Sequence, residues 1–189
     1  MTANPDATRT KAAAWAQALT EHRAAVEAFA AAAAAIPPAR WREPRAPGKW
    51  SPAQETEHVL LAYEASAADL AGGEPVRRQL PWWRTVALRW LVLPRILRTG
   101  RFPPRAPAPR VFRPRAERGA QAEHIALLRQ QATAFEAALV AALAATPARR
   151  VEHPYFGKMA LPRVLRLLTV HTLHHARVLG AAEGPAMDR

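Results

Sequence analysis

The sequence predicts an all-α, single-domain fold. Four major helices pack as a bundle, with an additional amphipathic helix and an Arg/Pro-rich loop inserted between the second and third core helices. Three observations predict it. Apolar residues recur at three- and four-residue steps through five segments. Those segments are bounded by proline, glycine and capping residues. No stretch shows clear period-2 alternation, and no block repeats at a fixed period.

Taken in order, the alanine-dense stretch from Ala7 to Ile36 reads as the first helix, with Trp15, Leu19, Val26 and Phe29 as its larger core residues. Pro37–Pro38 ends it, and the Pro- and Gly-bearing segment to Trp50 is a loop. Ser51-Pro52-Ala53-Gln54 is a helix start. The serine can cap, proline suits the first position, and glutamine completes a capping box. This second helix runs to about Ala71, where Gly72–Gly73 stops it.

From Gln79 to Thr99 a further amphipathic helix is expected, kinked at Pro94. Its apolar stripe is Trp82, Val86, Trp90, Leu93 and Leu97, with Arg84, Arg95 and Arg98 opposite and Arg89 at the edge. The tryptophans read as core or interface residues. The Pro/Arg-rich run from Gly100 to Pro114 reads as an extended ordered loop rather than a second domain. The third core helix is expected from about Arg115 to Ala145, ending at Thr146–Pro147, with Ile125, Leu128, Phe135, Leu139 and Leu143 facing inward. Glu152 to Gly157 reads as a turn. The fourth core helix starts at Leu161–Pro162 without a polar cap, and residues 181–189 read as a frayed tail.

The 189 residues suit one domain spanning 1–189, and 50% hydrophobic residues supply a sizeable core. The absence of cysteine excludes disulfides, a cysteine nucleophile and thiolate metal sites. The N-terminal stretch has no apolar core behind a basic start, and no long uncharged apolar run occurs. A cytoplasmic protein without a spanning helix is therefore expected. The net charge of +12 is concentrated. Twelve arginines and one acid, Glu117, lie between Val76 and Arg118, which centres the excess on the basic insertion at 76–114. With only three lysines in the chain, this pattern also fits a GC-rich coding bias, which weakens an argument from arginine number alone.

Chemistry is carried by the histidines. On the fourth core helix His171 and His175 stand at i and i+4 on the apolar face, with Arg163, Arg166, Val170, Leu173 and Arg177 turned away. Two imidazoles so spaced can grip one metal ion. His58 faces inward on the second helix beside Leu61, Ala62 and Ala65. If those two helices are neighbours, three neutral nitrogens converge with open positions left over, as in a catalytic rather than a closed structural site. The spacing alone equally fits three satisfied core histidines. His174 reads as a residue at the rim or just behind the ligands, His153 as a turn or packing residue, and His22 and His124 as solvated. Trp50 reads as core at the start of the second helix. Glu55 and Glu57 read as solvated or oriented to the helix dipole, with Glu55 the candidate for orienting a ligand.

Trp50-Ser51-x-x-Gln54-x-x-x-His58-Val59 resembles the W-S-x-x-[EQ]-x-x-x-H-[LV] segment of the DinB-like superfamily, the DinB/YfiT-like metalloenzymes. His153-Pro154-Tyr155-Phe156-Gly157 followed by His171-x-x-x-His175 resembles that family's closing segment. The resemblance covers most of the chain. It implies an antiparallel four-helix bundle, often a homodimer. It also implies a divalent ion (nickel, zinc, iron or manganese) held by His58, His171 and His175. Some members use a low-molecular-weight thiol as transferases or isomerases, so a small-molecule electrophile is the expected substrate. Two features depart from the family. The 76–114 stretch is long and basic, and no acidic residue stands out as a fourth ligand or base. The alternative is a non-catalytic bundle whose basic amphipathic insertion, with Arg84, Arg95 and Arg98 on its surface, binds anionic membrane or nucleic acid.

Overall fold

The computed structural model describes residues 5–103, 106–114 and 119–180. The core consists of α1 (Pro5–Ala35), α2 (Pro52–Leu70), α5 (Gln121–Ala145) and α6 (Leu161–Gly180). Between α2 and α5 lie α3 (Trp82–Ala87), a π-helical turn (Leu88–Val92) and α4 (Leu93–Thr99). Two short 3₁₀ turns, at Pro38–Arg40 and Arg110–Phe112, complete the helical elements. The fold is the all-α four-helix bundle that the periodicity predicts.

Each core helix packs mainly against two others, α1 and α2 both lying against α5 and α6. α1 runs antiparallel to α5, since Glu27 meets Arg129 and His22 meets Glu136. α2 and α5 advance in the same sense, Glu57 meeting His124 and Tyr63 meeting Phe135 further along both. The long insertion between them serves as the crossover that such neighbours require. Phe29, Tyr63, Leu128, Phe135, Leu139, Leu165 and Leu179 fill the centre, each buried.

Local chemistry places the helix ends. The Ser51 hydroxyl accepts from the Gln54 amide, and the Gln54 side chain accepts from the Ser51 amide, completing the predicted capping box. Gly100 ends α4 at φ 66°, a left-handed conformation that glycine adopts without a Cβ penalty.

Several expectations are corrected. A β-hairpin, β1 (Arg150–His153) with β2 (Gly157–Ala160), stands where only a turn is expected. Its alternation is real, with Val151 and Met159 buried and Arg150 and Lys158 exposed, but four residues per strand are too few to register as a period. Val170, assigned to the outer face of α6, is buried, because that helix is covered by neighbours over more than one stripe. α5 begins at Gln121 rather than near residue 115. Residues 115–118, and the tail at 181–189, lie outside the described residues.

The inserted helix departs furthest. Leu93 and Ile96 are buried, whereas Trp82, Trp83, Val86 and Trp90 are exposed, so the tryptophans are not core. The π turn explains the split. An i→i+5 turn inserts one residue, which advances the facing direction by about 100°. The stripe expected to be continuous is therefore divided, its first half turned outward and its second inward.

A further structural device links the bundle's four core helices. His22 donates from Nδ1 to Glu136 Oε1 at 2.7 Å, and its Nε2 lies 2.8 Å from the Tyr63 hydroxyl, which lies 2.8 Å from Thr172 Oγ1. His22 is fully buried, which corrects its reading as solvated. The physical reason is that Glu136 and Tyr63, on two other helices, satisfy its two ring nitrogens.

Ser51→Ala removes one half of the capping box. The metal-free protein is expected to lose about 1 kcal/mol of stability, read as a lower urea midpoint with unchanged m-value.

Candidate metal centre

α2 and α6 are neighbours, and they bring His58, His171 and His175 to one place. The candidate ligand nitrogens all lie within 4.8 Å of one another. His58 Nε2 is 2.9 Å from His171 Nε2, and the ring of His58 lies 4.8 Å, centroid to centroid, from those of His171 and His175. Two nitrogens on one ion at about 2.1 Å each would stand roughly 3 Å apart, so the spacing of the pair fits a shared divalent cation.

Tautomers support the same fit. His58 donates from Nδ1 to the Phe112 carbonyl at 2.7 Å, which leaves its Nε2 as a bare lone pair. His175 donates from Nδ1 to Glu55 Oε2 at 2.7 Å, again freeing Nε2. Glu55 is held in turn by Arg45 at 2.7 Å through its other oxygen. The Nδ1 of His171 is buried without a hydrogen-bond partner, so its ring is placed by packing, with Phe102 edge-on at 5.7 Å. Lone pairs that face each other across 2.9 Å repel unless a proton or a cation lies between them, and the free nitrogens on these rings suit a cation.

Electrostatics keep the rings neutral. Burial pushes the pKa of His171 well below its ordinary value, and the neighbouring His175 and His58 add to the effect. His175 is likewise pushed well down by burial, then by His58, His174 and Arg45. His58 is lowered by burial, partly offset by its bond to Phe112 and by Glu55. Glu55 is raised by its own burial, against the pull of Arg45 and His58.

The other candidates fall into place around this cluster. His174 stands beside it, half-buried, with its ring 5.0 Å from His175 and 5.2 Å from Phe102, and it is outside the three-nitrogen group. Trp50 packs on His58 at 4.9 Å and lines the cavity above it, so it serves the site rather than the central core. His153 closes the hairpin turn. Its Nδ1 accepts from the amides of Tyr155 and Phe156, and burial holds its pKa down at about 3.

Glu55 and Glu57 are both buried, not solvated, because each meets an imidazole. His124, expected in solvent, is buried and donates to Glu57 at 3.0 Å. Sequence reasoning missed Phe112, Phe102 and Arg45. Phe112 acts through its backbone carbonyl, which carries no residue signature. Arg45 lies in a proline-rich loop whose path no pattern reveals.

Above the imidazoles opens a cavity of about 1110 Å³. Its walls come from the insertion (Leu88, Val92, Ile96, Phe102), the hairpin (Val151, Met159) and α6 (Val164, Leu168), with Arg45, Lys49, Arg84 and Arg113 also lining it. A mostly apolar space over convergent nitrogens, some of them fixed by hydrogen bonds, is the usual form of a small-molecule site. Arg84, Arg95 and Arg98 are exposed on the insertion, and of these Arg84 reaches the cavity.

Comparison with known proteins agrees with this architecture. The family model described as the DinB superfamily matches residues 18–179. A crystal structure described as TT2238, a four-helix bundle protein, shares 22% identity with a TM-score of 0.54, covering 88% of this chain and 98% of that one. No curated protein matches the chain. Among the described residues, no helix is long and apolar enough to cross a membrane.

Two outcomes are expected. Glu55→Gln weakens the acceptor that orients His175, so metal affinity should fall by about 10- to 100-fold, measured by competition with a chromogenic chelator. For the metal-free protein, three site histidines have folded-state pKa values below the ordinary 6.5. Between those values and 6.5 the unfolded chain binds more protons, so stability should fall as pH drops through 6.5. Glu55, whose pKa is raised by burial, acts oppositely, from its ordinary 4.5 upward. Urea midpoints from pH 7.5 to about 5 should decline, and His171→Ala should flatten that slope.

Proposed function

Because the chain belongs to the DinB superfamily, we propose that it is a divalent-metal-dependent enzyme acting on a small electrophile, as a thiol-dependent transferase or isomerase. His58, His171 and His175 are its ligands, and nickel, zinc, iron and manganese are the candidate ions. The observation that carries this reading is the convergence of three neutral imidazoles from two helices at the floor of a cavity.

A divalent ion at this position supplies a lowered pKa for a coordinated thiol or water and polarises a substrate oxygen. The protein's own groups do the rest. The Phe112 carbonyl and the Glu55 carboxylate each hold the Nδ1 proton of a ligand histidine, which fixes its tautomer and aims its Nε2 inward. Arg45 anchors Glu55 and leaves it little freedom to swing away. Phe102, Ile96, Met159 and Leu168 keep the space above the rings apolar, favouring a substrate over bulk water. Lys49, Arg84 and Arg113 make the cavity attractive to an anionic substrate or to the carboxylates of a small thiol.

Elemental analysis of the purified full chain tests this reading. About one divalent ion per chain is expected, falling at least tenfold in His58→Ala and His171→Ala. Consumption of a small thiol in the presence of electrophiles should stop on chelation and return with the metal. Equal metal content in all three proteins would remove the proposal.

A further inference from the structure

Five of the eight exposed large hydrophobic residues among the described residues fall between Trp82 and Leu91. Trp82 is 70% exposed, Trp83 53%, Trp90 68% and Leu91 75%, with Val86 beside them. Tryptophan is highly buried on average, so three on one short helical stretch form an unpartnered apolar face. Arginines stand around it. Arg84 lies over the Trp83 ring at 4.9 Å, and Arg95 and Arg98 are exposed on the following turn. Among the described residues Arg84, Arg89, Arg95 and Arg98 form no ion pair. The whole of 76–114 contains no acidic residue.

We propose that this outward face of the inserted helix docks the protein onto an anionic lipid membrane. Tryptophan suits the headgroup level, where its ring is apolar and its N–H wet, and arginine carries its charge out to the lipid phosphates. Trp82, Val86, Trp90 and Leu91 supply the area that enters the interface, and the arginines supply the attraction to anionic headgroups. A second copy of the chain fits the face poorly, because a two-fold contact would bring arginine against arginine with no acid between them. Nucleic acid would find the same charge and could stack on the tryptophans, but exposed Val86 and Leu91 add aliphatic area that suits lipid and offers a base nothing to stack on.

The fold favours this orientation. The π turn points the tryptophans away from the bundle while the same segment lines the cavity through Leu88, Val92 and Ile96. Docking through the outer face therefore holds the cavity beside the lipid. The segment is anchored below by buried Leu93 and Ile96, and Gly100 is tied to α6 by the Arg177 guanidinium at 2.6 Å. The helix needs no rearrangement to present its face.

The test is vesicle co-sedimentation of the full chain. One set of vesicles is phosphatidylcholine alone, the other contains about one third phosphatidylglycerol. Binding is expected to the anionic vesicles only, weakening as salt rises, with tryptophan fluorescence quenched by brominated lipid. Trp82→Ser with Trp90→Ser should weaken binding at least about tenfold, and Arg95→Glu with Arg98→Glu by a similar factor or more. All four positions are exposed, so helical content and metal content should not change, which separates this test from that of the metal site. Equal binding by the variants, or none to anionic vesicles, would overturn the proposal. So would a concentration-dependent dimer that the tryptophan variant abolishes, or displacement of bound vesicles by an oligonucleotide of equal charge.

Discussion

A buried imidazole must find partners for two ring nitrogens, and much of this bundle is arranged around that requirement. His22, His124 and His175 each meet a carboxylate from another helix. His58 meets a carbonyl from the crossover segment, and His153 meets the amides of its own turn. His124 and His171 each keep a buried Nδ1 with no protein partner, but of the two only His171 presents its other nitrogen directly to a neighbouring imidazole. Two ring nitrogens set face to face make that cluster stand out as a place suited to something the chain does not itself supply. The convergence that marks the site thus follows from the same accounting that stabilises the core.

The crossover between α2 and α5 has to be long, because those helices lie side by side and advance in the same sense. That length is put to use. It brings the Phe112 carbonyl to His58, sets Phe102 against His171 and His174, and lays an apolar wall over the imidazoles. Deeper in the bundle, the chain Glu136–His22–Tyr63–Thr172 passes through all four core helices. A buried network of this kind penalises any shift of one helix along another, since each slip would strand several polar groups at once. Through Tyr63 and Thr172 the network thereby holds α2 and α6, which carry the clustered histidines, in register.

Much of this was legible in the sequence, and the failures share causes. The four core helices were visible because their apolar residues repeat over many turns and their ends carry caps, Ser51 and Gln54 above all. The inward direction of His58, His171 and His175 followed from their spacing against leucine and alanine neighbours. Partners were harder to see. Glu57 and His124 looked solvated because nothing in a linear chain reveals that two polar side chains, far apart in sequence, will bury each other. The hairpin was hidden by its brevity. The tryptophan stripe was misplaced because a helical projection assumes constant pitch, and Leu88–Val92 does not keep it.

That change of pitch carries a consequence for how such a chain can diverge. The wide turn takes up one additional amino acid, and the helical halves on either side keep the facing they would have without it. Losing one codon there would restore the ordinary pitch and leave the indole groups outside, with Leu93 and Ile96 still inside. Surface character here is thus shielded from a three-base change in gene length, because the turn absorbs the difference.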